Sequence, residues 1–293
     1  MPRTLRAERL SALWLAALAV AAVTLALLAA VPTRVSAHEL LGEARDPGDR
    51  ALIASHRGGA ALAPENTLPA VEAALSGGFD YVEVDVSLTA DGHPVLFHDA
   101  TVDRTTDGAG ALAELTLAEV QRLDAGASHD ASFRGTRVPT AEQFLDLLAR
   151  RDGRALLDLK GEWDAAGAAA LVAAIEHRGL ERAVAVASFD ARVLGLFGAA
   201  SDVIARLVLL KQLPADVVEA AVQVGARGII VDRKALLARP EAVDALQAAG
   251  MRVIVFTLNS DDQWGEVTAL GVDGIVTDDP VRLDSWQQTL AAE

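Results

Sequence analysis

Residues 51–293 alternate apolar strand segments with helical ones. This reads as an α/β protein of the TIM-type (β/α)8 kind: eight parallel strands closed into a barrel, helices outside, and a small extra hairpin after the second strand. Eight strand candidates remain once that hairpin is set aside. The helical patterns between them often end in glycine, as helix C-termini do. At 293 residues the chain is long for one ordinary domain but suits a barrel of about 250 residues. An open doubly wound sheet fits less well, because no glycine-rich dinucleotide fingerprint follows the first strand.

In chain order, "ALIAS" (51–55) opens the barrel and "TLPAVEAALSGG" follows as a helix. "YVEVDVSL" (81–88) is the second strand, and "PVLFH" (94–98) folds back on it across the turn "TADGHP". An irregular excursion over 99–139 precedes the helix "TAEQFLDLLARR" and the strand "ALLDL" (155–159). "DAAGAAALVAAIEHRG" leads to "AVAVAS" (183–188), "DARVLGLFG" to "ARLVLL" (205–210), and "PADVVEAAVQVG" to "GIIVD" (228–232). "PEAVDALQAAG" then leads to "RVIVFTL" (252–258), and "DDQWGEVTALG" to "GIVT" (274–277).

The start of the chain has a different character. Arg3, Arg6 and Arg9 precede an uncharged, mostly apolar stretch from Ser11 to Val31, and "VPTRVSA" follows, ending at Ala37. Residues 1–37 therefore read as a signal peptide cut behind Ala37 or, since about 21 apolar residues can span a bilayer, as an uncleaved anchor. Either way the expectation is an exported protein, with a polar linker over 38–50 before the barrel domain. The chain contains no cysteine, so no disulfide can staple it in an oxidising compartment. Its formal net charge is −15, and the N-terminal segment is basic, so the rest is more acidic still. A negative field of that size argues against nucleic acid as a partner and leaves the membrane only the N-terminal segment.

Period-two alternation in "YVEVDVSL" puts Tyr81, Glu83, Asp85 and Ser87 on one face and the valines on the other. In a barrel the valines meet the helices, so the two carboxylates point inward, where they repel unless a cation lies between them. A hard divalent ion held by oxygens is the economical answer. His56 and Arg57 come directly after the first strand, at the mouth where barrel active sites form. His98 ends the hairpin and reads equally as a packing histidine or a second mouth histidine. Asp158 and Lys160 share a face as either an ion pair or site residues. Glu65 reads as ordinary charge at a helix start, with Asn66 or Thr67 as the cap. His38, His93, His129 and His177 fall in linkers, turns or helix ends and read as surface residues.

The run "HRGGAALAPENTLPAVEAALSGGFDYVEVDVSLTADGHPVLFHDATVDRTTDGAG" closely resembles the glycerophosphodiester phosphodiesterases. Their pattern runs HRG, PENT, G-x-D-x-x-E-x-D-V, T-x-D-G-x-x-V-x-x-HD and RTT-x-G-x-G. The similarity continues through "LTLAEVQRLDAG", "VPTAEQFLDLL", "LLDLK", "VASFD", "VIVFTLN" and "GVDGIVTDDP", covering roughly 51–283.

The resemblance implies a β/α barrel that hydrolyses glycerophosphodiesters to sn-glycerol 3-phosphate and an alcohol with a divalent cation, calcium or magnesium. It implies His56 and His98 as the acid/base pair, and Glu83 and Asp85 as metal ligands. Arg57 and Lys160 would hold phosphate, and Glu65 would lie near the metal and the substrate hydroxyls. This chain departs from the pattern twice. Asp158 stands where the family has the glutamate of E-x-K, and Phe256 replaces the tryptophan of W-T-x-N. From an unmoved strand the shorter Asp158 would stop about 1.5 Å short and reach the ion through a water. Phe256 leaves a smaller aromatic wall. A phospholipase D-like cleavage of lysophospholipids or sphingomyelin would need a long hydrophobic insertion, which 99–139 does not offer. A non-catalytic phosphodiester-binding barrel would not need both histidines.

Overall fold

A computed structural model describes residues 34–290. The apolar stretch 11–31 and its processing motif up to Pro32 and Thr33 lie outside the described residues. Nine strands form: β1 (Leu52–Ser55), β2 (Tyr81–Leu88), β3 (Pro94–Leu96), β4 (Ala155–Leu159), β5 (Val184–Ser188), β6 (Ala205–Leu210), β7 (Gly228–Asp232), β8 (Arg252–Phe256) and β9 (Gly274–Thr277). They run β1-β9-β8-β7-β6-β5-β4-β2-β3, and a further β1–β2 pairing closes the eight parallel strands into a ring. β3 lies outside that ring, antiparallel to the upper half of β2 with Val86 opposite Leu96. The barrel and its extra hairpin are as the strand pattern predicts.

The inward and outward faces also follow the alternation. Val82, Val84 and Val86 pack outward with Val71, Phe144 and Leu148 of the surrounding helices. The outer core falls into two clusters. One is contiguous in sequence from Val71 to Ile204, and the other runs from Val217 to Leu283 with Ala51 and Ile53 added. Inside the ring, Ala54, Tyr81, Leu156, Ala185, Ala205, Ile230, Ile254 and Val276 form a third cluster. Three of these, Ala54, Ala185 and Ala205, are alanines, which leave space low in the barrel. Leu40 and Leu41 fill it from a short helix, Ala37–Leu41, in the stretch expected as linker.

Two further elements carry no advance signal of the kind used above: helices Arg233–Leu237 and Pro280–Leu290. The excursion over 99–139 is irregular, but Val102, Leu112, Val120 and Val138 from it form a small core with Val95 and Phe97 of the hairpin. Among the described residues no helix is long and apolar enough to cross a membrane.

Candidate active site at the barrel mouth

The polar residues singled out in the sequence converge at the C-terminal ends of β1, β2 and β4. Directly after β1 the chain turns sharply, with Arg57 at φ 53° and Gly58 at φ 83°. A Cβ on Gly58 would lie 2.9 Å from both Ala70 Cβ and Val71 N, so only glycine lets this turn sit against the helix Leu68–Gly77. The turn aims the Arg57 backbone N–H at Glu83 Oε2, 2.8 Å away. Thr67 caps the helix by accepting from Ala70 N–H. Asn66 does something else: it sits at φ 55° and clasps Asp85. Its Nδ2 donates to Asp85 Oδ2 at 2.8 Å, and its Oδ1 accepts from the Asp85 N–H at 3.0 Å.

Asp85 and Asp158 are register partners on β2 and β4. With Glu83 they form an acidic cluster in which one oxygen from each residue lies within 4.8 Å of the other two. Burial raises the Glu83 pKa to about 7, with Asp85 repulsion added. Asp158 rises to about 6, again through burial, despite its contact with Lys160. Asp85 moves the other way: burial pushes it up, but Lys160 and Arg57, each 3.3 Å away, hold it down. Asp158 Oδ1 is buried without a hydrogen-bond partner. Three inward carboxylates, two of them driven toward the neutral form and one with an orphaned oxygen, fit a hard cation bound by oxygens. Two oxygens on one calcium ion can be up to about 5.2 Å apart, given ligand distances of up to about 2.6 Å, so the cluster fits a single calcium shell.

Both mouth histidines are held by carboxylates. His56 Nδ1 donates to Asp278 Oδ1 at 2.6 Å, and His98 Nδ1 donates to Asp99 Oδ1 at 2.6 Å. Each ring is thereby fixed as the tautomer whose Nε2 is free to exchange a proton. Asp278 follows β9 and is anchored by Asn259, whose Nδ2 donates to Asp278 Oδ2 at 2.6 Å. Burial opposes a charge on His56, but the Asp278 hydrogen bond and the nearby Glu83 charge hold its pKa above the ordinary 6.5. The hydrogen bond from Arg104 holds Asp99 down at about 2.

Glu65 does not join the acidic cluster. It accepts from Arg57 Nη1 at 2.7 Å and from Arg104 Nη2 at 2.7 Å, which places it behind Arg57 as an orienting carboxylate. A cleft of about 910 Å³ opens over the site, lined by His56, Arg57, Glu83, His98, Asp158 and Lys160. Phe189 and Phe256 form its aromatic wall, edge to face with ring centroids 6.0 Å apart.

Sequence reasoning thus missed Asp278, Asp99, Arg104 and the clasping role of Asn66. Asp99 and Asp278 were visible as acids immediately after His98 and after the last strand. Their partners could be assigned only with the ring closed.

The profile described as "Glycerophosphoryl diester phosphodiesterase family" matches residues 56–282. A glycerophosphodiester phosphodiesterase of Caldanaerobacter subterraneus subsp. tengcongensis is 31% identical over 236 residues, covering 80% of this chain and 96% of the relative. The crystal structure of an Agrobacterium tumefaciens glycerophosphodiester phosphodiesterase is 30% identical with a TM-score of 0.70, covering 80% of this chain and all of that one. An Oleispira antarctica phosphodiesterase, solved with its product sn-glycerol-3-phosphate, is 28% identical with a TM-score of 0.73, covering 81% of this chain and 96% of that one.

Proposed function

Because the chain belongs to the glycerophosphoryl diester phosphodiesterase family, we propose that its barrel mouth hydrolyses glycerophosphodiesters to sn-glycerol 3-phosphate and an alcohol by histidine acid/base catalysis at a divalent-cation site. The enzyme is a phosphoric diester hydrolase. The observation that carries the finer reading is the pair of cleft histidines, each with Nδ1 tied to a carboxylate and Nε2 left for proton exchange. A barrel that only bound phosphodiesters would need the cations and the acidic cluster but not two oriented bases.

Glu83, Asp85 and Asp158 would hold a calcium or magnesium ion, and their spacing lets all three reach a calcium ion directly. Such an ion supplies Lewis-acid neutralisation of charge building on the phosphoryl oxygens. Arg57 and Lys160 add fixed positive charge at the same place, where a preorganised cation acts without reorganising. Burial opposes a charge on His56, but Asp278 and Glu83 hold its pKa above the ordinary value, which favours the protonated ring as the donor to the leaving alkoxide. His98 takes the proton from the attacking hydroxyl, and its Asp99 partner stabilises the charge the ring gains. Asp278 and Glu65 are positioning residues for His56 and Arg57. The Phe189–Phe256 wall lies beside these groups and bounds the space for the substrate's two alcohol portions.

Assay of the full chain with glycerophosphocholine and added calcium or magnesium tests this reading. Release of glycerol 3-phosphate is expected, with His56→Ala and His98→Ala each lowering turnover at least about a hundredfold while metal affinity stays near wild type. Cleavage of lysolipid but not of glycerophosphocholine would give the substrate class to the phospholipase D-like reading. Near-wild-type turnover in either variant would remove that histidine from the mechanism.

A further inference from the structure

The residues expected at the leader's processing site are built into the barrel floor. Val35 and Ala37 are 1% and 2% exposed. The Val35 N–H donates to the Val203 carbonyl at 3.2 Å, and its own carbonyl accepts from Arg227 Nε at 2.7 Å. Ser36 caps the helix Ala37–Leu41 by accepting from the Glu39 N–H at 3.0 Å. The Leu40 carbonyl accepts from Tyr81 Oη and Arg154 Nη2, and the Gly42 carbonyl accepts from Arg252 Nε at 3.0 Å and Nη2 at 2.7 Å. Val203, Arg154, Arg227 and Arg252 all stand at or just before the first residues of β6, β4, β7 and β8. The plug therefore seals the N-terminal end of the barrel, opposite the carboxylates and histidines at the mouth.

Hydrolysis of the Ala37–His38 bond would remove much of this closure. Val35 and Ala37 would be lost from the interior, the helix would lose its cap, and Arg227 would lose an acceptor. The new α-ammonium of His38 would add positive charge at a helix N-terminus, where the dipole disfavours it. A helix of five residues has no stability of its own to survive those losses. A processing motif is ordinarily left outside the mature fold, whereas this one is packed into it.

We propose that Val35–Ala37 belong to the working enzyme and that the Ala37–His38 bond stays intact. The apolar stretch Ser11–Val31 is then retained as a membrane tether. Within the barrel itself, Val35 lies at the floor, and the carboxylates and histidines lie at the opposite end.

The test uses the full chain expressed in bacteria that export it, with intact masses read from membrane and soluble fractions. The expected result is enzyme in the membrane fraction, released only by detergent, whose mass accounts for the sequence through Met1 or Pro2. His38→Pro supplies an independent check. Residue 38 is exposed and lies in the first helical turn, where a missing N–H is tolerated, and a proline there resists cleavage behind Ala37. Apart from the mass change of the substitution itself, the variant is expected to show the same N-terminus and the same distribution between fractions. Soluble enzyme beginning at His38 overturns the proposal, as does a wild-type soluble pool that moves to the membrane in His38→Pro. Soluble enzyme cut anywhere N-terminal to Val35 overturns the tether. These readouts are masses and locations, so they fail or succeed independently of the catalytic reading.

Discussion

His56 and Asp278 stand 222 residues apart in the chain and 2.6 Å apart in the fold, joined through Nδ1 and Oδ1 at the barrel mouth. The bond fixes the tautomer of His56 and keeps its charged form stable above the ordinary pKa of 6.5. Asp278→Asn retains the shape but removes the charge. Turnover is expected to fall at least about a hundredfold, with KM and metal affinity little changed. The sign for pH follows from the raised value. A ring needed in the protonated form keeps activity above pH 6.5 and loses it as pH rises through the folded pKa, so the alkaline limb of kcat moves to lower pH in Asp278→Asn. A limb that stays in place removes His56 as the general acid.

Asp158 is expected to be a direct ligand. Calcium or magnesium titration of Glu83→Ala, Asp85→Ala and Asp158→Ala, followed by calorimetry, is expected to show comparable losses, each at least about tenfold, the loss that even a partner behind the ligand can cause. If Asp158→Ala binds nearly as well as wild type, the water-mediated arrangement suggested by its shorter side chain holds instead.

Asn66 combines a left-handed backbone with two hydrogen bonds to a buried carboxylate. Asn66→Ala loses the bonds and adds strain, for an expected destabilisation of about 2–4 kcal/mol. Asn66→Gly loses the bonds without the strain and is expected to be less damaging by about 1 kcal/mol. Equal losses in urea unfolding would show that the backbone conformation is not a source of strain.

Asp99 offers a stability test with a defined pH window. Its pKa is about 2 in the fold against the ordinary 3.8, held there chiefly by Arg104. A depressed acid contributes stability that is fully present above the unfolded value and lost as pH falls through the folded one. Arg104 is 49% exposed, so the contribution is discounted to at most about 1 kcal/mol. Burial pushes Glu65 up, but Arg104 also holds it below its ordinary 4.5. The stability difference between wild type and Arg104→Ala is therefore expected to be constant above about pH 5 and to shrink between about pH 5 and pH 2. A difference that persists unchanged at the acid end assigns Arg104 a packing role.

The barrel was legible because its signals are local. Period two in "YVEVDVSL" assigned Glu83 and Asp85 to the interior, and the strand ends located His56, Asp158 and Lys160 at one mouth. What escaped depends on closure. Asp278 becomes His56's partner only when β9 lies beside β1, and Arg104 reaches Asp99 and Glu65 only through the folded excursion. Residues 35–41 were obscured for another reason. Residues 35–37 read as a leader's end and 38–41 as the start of a polar linker, and nothing local distinguishes either from a barrel plug.

The seam between β1 and β9, where Leu52 faces Gly274, has a kinetic consequence. The outer core clusters are nearly contiguous halves of the sequence, so the first can bury itself while the second is still being made. β1 can pair early with β2, but its other edge must wait for the last strand, a contact of high sequence separation and therefore slow to form. Glu83, Asp85, His98, Asp158 and Lys160 all belong to the early half, and His56 is bridged to Asp278 only across the late seam. Onset of turnover during refolding thus reports ring closure itself, and it should lag the recovery of helical signal.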